Sequence, residues 1–171
     1  MDVGSRIDGF VAHVATFRPI EVLDIRELKR TIPNITFRCK DLMDKGFDLI
    51  DICDSVSCLH ALEHFGLGRY GDRIDVNGHL KGFENIGKML QRGGKFYLSV
   101  PVGAQRIEFN GHRVFSVAYL LNMFEGKFKV DAFSYVNDAG DLTPNVHLTE
   151  DSIRNDFSCR LGCGIFEPTK L

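Results

Sequence analysis

The chain has 171 residues, 44% of them hydrophobic and 26% charged, and its 21 Lys+Arg against 23 Asp+Glu give a formal charge of -2. This balance is typical of a globular domain and excludes a disordered tail, a collagenous repeat and a coiled coil. The length suits one domain over residues 1–171. Because no basic excess is available to hold a phosphate backbone, an obligate nucleic-acid partner is not expected.

Targeting and cysteine patterns predict a cytoplasmic protein. No apolar run reaches the roughly 18–20 residues of a membrane span, and no secretory signal pattern opens the chain. The five cysteines are odd in number and irregularly spaced, unlike a disulfide framework. We expect no transmembrane segment, and the oligomeric state stays open. The thiols expected to be buried or unreactive are Cys39, Cys53, Cys58, Cys159 and Cys163.

Short apolar runs alternate with helical patterns over residues 1–101. Such alternation predicts strand–helix–strand units and a parallel sheet. The first strand is expected to be truncated, because a central parallel strand normally has about five residues. Asp8 is a candidate N-cap for the helix that follows it. The predicted strands of this half are residues 1–3, 20–25, 35–39, 54–59 and 95–100.

The clearest helix is predicted over residues 77–92, where apolar residues recur at helical spacing. Gly93 and Gly94 follow it as a helix-ending pair. Beyond the strand at 95–100, the stretch 141–160 is polar and irregular. The other predicted elements are a helix over 116–124 and strands over 128–136 and 162–169.

The opening of the chain carries a weak ligand-binding pattern. Gly4 and Gly9 bracket a tight loop between the first strand and a helix, where glycine permits close approach and free N–H groups favour an anion. Asp24 follows about 20 residues on and is placed to accept ribose hydroxyls, or simply to cap a loop. Asp41 could accept a hydrogen bond from an adenine amino group, or be a solvated loop carboxylate.

A series of segments resembles the class I S-adenosylmethionine-dependent methyltransferases. The series consists of residues 2–4, Asp24, Asp41 with Leu42, residues 57–64 and residues 92–96. Three longer segments resemble, more specifically, the domain-of-unknown-function family 268. The segments are residues 3–12, 60–72 and 109–116. The resemblance implies an α/β, Rossmann-like three-layer sandwich, with a mostly parallel seven-stranded sheet and an antiparallel C-terminal hairpin.

The resemblance also implies a cofactor site for S-adenosylmethionine. The glycine loop would lie beneath the methionine part, Asp24 would take the ribose, and Asp41 with Leu42 would hold the adenine. Arg6 departs from the family pattern, because it replaces a glycine and could either close part of the cleft or pair with the methionine carboxylate. The full set of candidate cofactor residues is Asp2, Gly4, Ser5, Arg6, Gly9, Asp24, Ile25, Asp41, Leu42, Ser57 and Cys58.

The segment His60-Ala61-Leu62-Glu63-His64 admits three interpretations. On a helix, His60 and His64 would share a face and could bind zinc, with Glu63 as base, as in H-x-x-E-H hydrolases. Alternatively, the three residues form the catalytic acid–base group of a methyl transfer. The remaining interpretation is that Glu63 and His64 only fix the loop that follows.

A second polar cluster is expected over the same edge of the sheet. Its arginines could bind an anionic acceptor such as a carboxylate or a sugar phosphate, or pair with a nearby acid. The candidate substrate residues are Arg69, Tyr70, Asn110, His112 and Arg113.

Together these patterns predict methyl transfer from S-adenosylmethionine to a small-molecule or glycan-linked acceptor. The alternative is a methyltransferase-fold binding domain without efficient catalysis, to which Arg6 and the short first strand point. A zinc hydrolase that uses the H-x-x-E-H segment is a third hypothesis.

Overall fold

A central β-sheet organises the computed structural model, which describes residues 1–29, 31–109 and 111–171. The strands within these residues are β1 (Asp2–Val3), β2 (Ile20–Asp24), β3 (Ile35–Cys39), β4 (Cys53–Leu59), β5 (Leu90–Val102), β6 (Arg106–Ile107), β7 (Arg113–Val114), β8 (Phe128–Val136), β9 (Leu142–Thr143) and β10 (Gly162–Lys170). The helices are α1 (Gly9–Ala15), α2 (Gly78–Met89), α3 (Val117–Phe124) and α4 (Glu150–Arg154). None of these helices is long and apolar enough to cross a membrane.

The sheet has the order β3-β2-β1-β4-β5-β10-β8-β9. Strands β1 to β5 pair in parallel, whereas β10 runs antiparallel to both β5 and β8. The short strands β6 and β7 form a separate antiparallel pair. The predicted mostly parallel sheet with an antiparallel C-terminal hairpin is confirmed, with eight strands in place of the expected seven, because the short β9 pairs with β8.

Hydrophobic clusters cover both faces of the sheet. Val22 packs under α1 with Val11 and Ala15, whereas Leu23 belongs to a much larger cluster that includes buried residues of α2 and α3. Because successive residues of a strand point to opposite faces, the two clusters lie on opposite sides. The three-layer arrangement follows. Eight of the 14 phenylalanines are buried in the larger cluster.

Side-chain caps fix where several helices begin. The Asp8 carboxylate accepts from the Val11 N–H at 2.9 Å, which confirms the predicted N-cap of α1. Ser116 caps α3 through the N–H of Tyr119, and Thr149 begins α4 with a capping box.

The helix predicted over residues 77–92 ends earlier, at Met89. The Met89 carbonyl accepts from the Ile52 N–H at 2.8 Å, and Leu90 already pairs with Cys53. The helix therefore ends three residues earlier than the pattern indicates, and strand pairing begins at Leu90. Gly93, predicted to follow the end of the helix, lies inside β5 at φ +79°.

The stretch expected to be irregular, residues 141–160, contains β9 and α4. Helix α4 has five residues and buries none of them, so it carries no apolar stripe that a sequence could show.

Candidate functional site

A cleft opens at the carboxyl ends of β1, β2 and β3 and beside the segment after β4, the edge where open α/β sheets bind ligands. The lining residues are Val3, Gly4, Leu23, Asp24, Ile25, Arg26, Lys40, Asp41, Leu42, Met43, His60, Ala61, His64, Phe65, Tyr70 and Asp72.

The glycine loop is anchored to the sheet by a buried carboxylate. Asp2 accepts from the Ser57 hydroxyl at 2.6 Å and from the Ser5 N–H at 3.3 Å, and burial raises the pKa of Asp2. Gly4 has φ +84°, and a Cβ there would lie 2.5 Å from the Ala61 Cβ. Glycine is therefore required at this position for both the turn and the packing.

Six predicted cofactor residues lie outside the cleft lining, namely Asp2, Ser5 and Ser57 at the anchor of the glycine loop, and Arg6, Gly9 and Cys58. Arg6 adopts φ 52° and directs its guanidinium to the Glu27 carbonyl at 3.5 Å. Gly9 is the first residue of α1. Cys58 is fully buried in the large hydrophobic cluster, which raises the pKa of its thiol well above the usual value.

Asp24 ends β2 at the cleft wall with only 4% of its surface exposed. Arg26 holds both of its carboxylate oxygens, because the guanidinium donates at 2.9 Å to Oδ1 and at 2.6 Å to Oδ2. The Arg26 N–H adds a third bond, at 2.7 Å, to Oδ1. The same guanidinium lies 4.4 Å from the centre of the Tyr70 ring. No pattern in the sequence marked Arg26, which follows Asp24 by two residues.

The opposite wall of the cleft contains Asp41 and Leu42. Asp41 accepts from the Met43 N–H at 2.7 Å, the short-range bond of an Asx turn. Leu42 is buried, and its carbonyl accepts from the Asn85 side chain of α2 at 2.8 Å. The loop after β3 is thus fixed to a helix before any ligand binds.

His60 and His64 do not share a helix face, which removes the premise of the zinc-hydrolase interpretation. His60 precedes the turn at φ 51°, and Leu62–His64 is a single 3-10 turn. Among the described residues, no group of three or more His, Cys, Asp or Glu side chains is arranged to hold a metal ion.

The two histidines have opposite electrostatic environments around Glu63. His60 Nδ1 lies 3.3 Å from Glu63 Oε1, and hydrogen bonds to Cys163 and Glu63 raise the pKa of His60 to about 10. Burial lowers the pKa of His64, so this imidazole is neutral at physiological pH. His64 Nδ1 lies 3.0 Å from the Gly111 carbonyl. A carbonyl can only accept, so Nδ1 carries the proton and Nε2 keeps its lone pair.

Residues 65–77 form a loop over the cleft, here called the Tyr70 loop. Its own Asp72 carboxylate accepts from the N–H groups of Gly66, Gly68 and Tyr70 at 2.8, 3.2 and 3.2 Å. This side chain therefore sets the path of the loop that carries Tyr70.

The guanidinium of Arg113, a predicted substrate residue, serves the Tyr70 loop instead. Arg113 is only 2% exposed and donates to the carbonyls of Glu63, Phe65 and Val76. With these bonds made, it presents no surface to an acceptor.

The other predicted substrate residues gather near His64, with one exception. Tyr70 contacts the His64 ring edge-on, and the His112 ring lies 6.1 Å from it. Arg69 donates to the Gly111 carbonyl at 3.1 Å. Asn110 lies outside the described residues.

Comparison with known proteins gives a family and a fold. Residues 13–157 match the family described as "Caenorhabditis protein of unknown function, DUF268". A search of curated proteins finds no match.

Solved structures of the same fold share 12–14% sequence identity with this chain. A 1,6-didemethyltoxoflavin-N1-methyltransferase from Burkholderia thailandensis, with bound 1,6-didemethyltoxoflavin and S-adenosylhomocysteine, is 14% identical, with a TM-score of 0.66 over 99% of this chain and 69% of that one. The N-methyltransferase NodS from Bradyrhizobium japonicum, in complex with S-adenosylhomocysteine, is 12% identical, with a TM-score of 0.59 over 99% and 76%. The [4+2]-cyclase SpnF is 14% identical, with a TM-score of 0.66 over 99% and 74%.

Proposed function

Since the chain belongs to the DUF268 family and has the fold of S-adenosylmethionine-dependent methyltransferases, we propose that it transfers a methyl group from this cofactor to a small-molecule or glycan-linked acceptor. The observation that carries the proposal is Asp24, a buried carboxylate at the end of β2 that faces a cleft between the glycine loop and Asp41. Fold alone does not fix an activity, so the proposal rests on these residues.

The polar and apolar groups that line the cleft fit an adenosyl group. Carboxylates are suitable acceptors for the hydroxyls and the amino group, and Leu42 and Ile25 supply apolar walls. Asp24 would hold the ribose and Asp41 the adenine, whereas Gly4 would admit the methionine part. The bound cofactor supplies an electrophilic methyl group on a sulfonium. Arg26 must leave the Asp24 carboxylate when the ribose binds.

His64 is the proposed base for the acceptor proton. His64 lines the cleft, and its unprotonated Nε2 lies 3.9 Å from Glu63 Oε1. Nitrogen NMR of the imidazole at neutral pH should show the tautomer protonated on Nδ1. A signal from the Nε2-protonated tautomer would remove His64 from this role.

The cofactor assignment is tested by calorimetric titration of S-adenosylhomocysteine into wild type, Asp24→Asn and Asp151→Asn. Asp151 makes the same chemical change on exposed α4 and serves as the matched control. Loss of hydrogen bonds to a charged group costs about 1.5–3 kcal/mol, so Asp24→Asn should weaken binding by about tenfold to 100-fold. Equal affinity in all three proteins would mean that the ribose does not contact Asp24.

A binding domain without methyl transfer is the second candidate. It is favoured by the Arg26 pair on Asp24, which competes with a ribose, and by Arg6 in the glycine loop. Wild-type protein that binds a ligand at Asp24 but takes up no S-adenosylhomocysteine would support this candidate over the first.

A further inference from the structure

A thiol, an imidazole and a carboxylate meet in series beside the cleft. Cys163 Sγ lies 3.3 Å from His60 Nε2, and His60 Nδ1 lies 3.3 Å from Glu63 Oε1. This is the order of groups that activates a nucleophile through a base oriented by a third side chain. Neither the proposed methyl transfer nor the cofactor cleft makes use of Cys163.

The sheet brings these residues together from positions 103 apart in sequence. Because β10 is antiparallel to β5, its first residues lie at the carboxyl edge of the parallel strands, where Cys163 pairs with Pro101. His60 follows β4 at the same edge, and its backbone N–H donates to the Ser99 carbonyl at 2.9 Å. Both side chains are therefore positioned by paired strands rather than by a free loop.

Charge and burial suit a thiolate–imidazolium pair. The Glu63 side chain is 2% exposed, and its Oε2 has no hydrogen-bond partner among the described residues. This carboxylate and the sulfur face His60 from opposite ring nitrogens and keep it protonated at neutral pH. An imidazolium in contact with a sulfur stabilises the thiolate form. Cys163 is half-buried and the His60 side chain is 51% exposed, so a small reagent can reach the pair.

We propose that Cys163 is an activated nucleophile and a covalent-modification site for α,β-unsaturated carbonyl compounds. The thiolate adds to the β-carbon, so that a C–S bond forms and the C=C π bond breaks. The resulting enolate takes the proton held by His60, and no leaving group or oxidant is required. Because His60 also lines the cleft, the adduct lies at its edge.

The other thiols provide internal references. Cys53, Cys58 and Cys159 are buried, and burial raises the pKa of each. Cys39 is exposed, and its Sγ contacts the Ile25 carbonyl at 3.2 Å instead of an imidazole. Cys39, the more exposed of the two, is therefore the reference thiol without an imidazole contact within the same molecule.

The test is a brief pulse of N-ethylmaleimide on the full chain without ligands, with adducts at each cysteine counted by mass spectrometry. We expect Cys163 to react at least about threefold faster than Cys39 at neutral pH, because Cys163 contacts an imidazolium and Cys39 does not. His60→Asn should abolish this advantage, since asparagine tolerates the left-handed backbone but cannot reach the sulfur.

The wild-type comparison decides the question even if His60→Asn does not fold, because both thiols are followed in the same molecule. Equal rates at Cys163 and Cys39, or an unchanged rate ratio in folded His60→Asn, would overturn the proposal. No arm of the experiment involves the cofactor, so its failure is distinguishable from failure of the proposed function.

Discussion

Asp24 and Arg26 form the contact that controls the proposed cofactor site at the scale of single residues. The pair is partly buried, because Asp24 is enclosed by the cleft wall while Arg26 is about one-third exposed. A ribose and the guanidinium require the same two carboxylate oxygens. Binding therefore includes the exchange of an internal ion pair for contacts with the ligand.

Replacement of the arginine should have opposite effects on binding and on stability. In Arg26→Ala, S-adenosylhomocysteine no longer competes with a guanidinium, and we expect its affinity to rise by about threefold to tenfold, the equivalent of one ordinary hydrogen bond. The unliganded protein should unfold at lower urea concentration, because the buried Asp24 loses its partner. Exposed Arg92→Ala is the control. Weaker binding by Arg26→Ala would show that Arg26 contacts the ligand instead.

Single residues also show which parts of the site can be predicted from the sequence. The positions of Gly4, Asp24 and Asp41 in the cleft follow from the order of strands and loops, which alternation in the sequence reveals. The contact between His60 and Cys163 depends on the register of β10 against β5, which no local pattern encodes. The same applies to Arg113, whose bonds to the Tyr70 loop exist only once the chain has folded.

At the scale of elements, the Tyr70 loop depends on a single buried cation. The three carbonyls that Arg113 bonds belong to the two ends of the loop and to the 3-10 turn before it. Burial lowers the pKa of Arg113, which indicates how far the guanidinium is removed from water. Without the guanidinium, these three carbonyls would lose the hydrogen-bond donor that it provides.

Arg113→Met should therefore reduce stability by about 2–4 kcal/mol, since several buried carbonyls lose their donor while the packing volume is nearly kept. Urea unfolding measures the change. Arg106→Met, on adjacent β6 and partly exposed, is the control and should differ little from wild type. A loss for Arg113→Met no larger than that of the control would mean that the loop does not rely on this side chain.

Helices α2 and α3 are joined by a titratable contact, in which His79 Nε2 lies 2.6 Å from the Tyr119 hydroxyl. Burial, with the nearby charge of Arg113, lowers the pKa of His79 to about 4, although the carbonyl of Val76 and the carboxylate of Asp75 oppose the shift. The folded state thus binds the proton less readily than the unfolded chain. The stability that neutral His79 contributes is therefore complete above about pH 6.5 and is lost as the pH falls towards 4.

His79→Gln should remove that pH dependence while it keeps a hydrogen bond to Tyr119. Between about pH 7 and pH 4, wild type should lose on the order of 3 kcal/mol more unfolding free energy than the variant. Urea titrations at both pH values provide the comparison, and other carboxylates cancel in the difference. Identical pH dependence in the two proteins would show that His79 is accessible to protons in the folded state.

At the scale of the whole molecule, the alternation of apolar runs and helical patterns predicted the parallel part of the sheet, whereas the antiparallel end was implied by the family resemblance. The exact ends of elements depended on pairing, as at Met89, where bonds from residues 51 and 52 stop α2. Helix α4 escaped prediction because it buries no residue. The parallel part of the fold thus follows from periodicity, whereas the contacts that decide chemistry come from long-range pairing.

The most direct test of the account is a crystal structure of the chain with S-adenosylhomocysteine. We predict that the adenosine lies in the cleft, with the ribose hydroxyls on Asp24 and the adenine beside Asp41 and Leu42. The Arg26 guanidinium should then be turned away from the Asp24 carboxylate. A ligand bound elsewhere, or an Asp24–Arg26 pair left intact beside bound ligand, would contradict it.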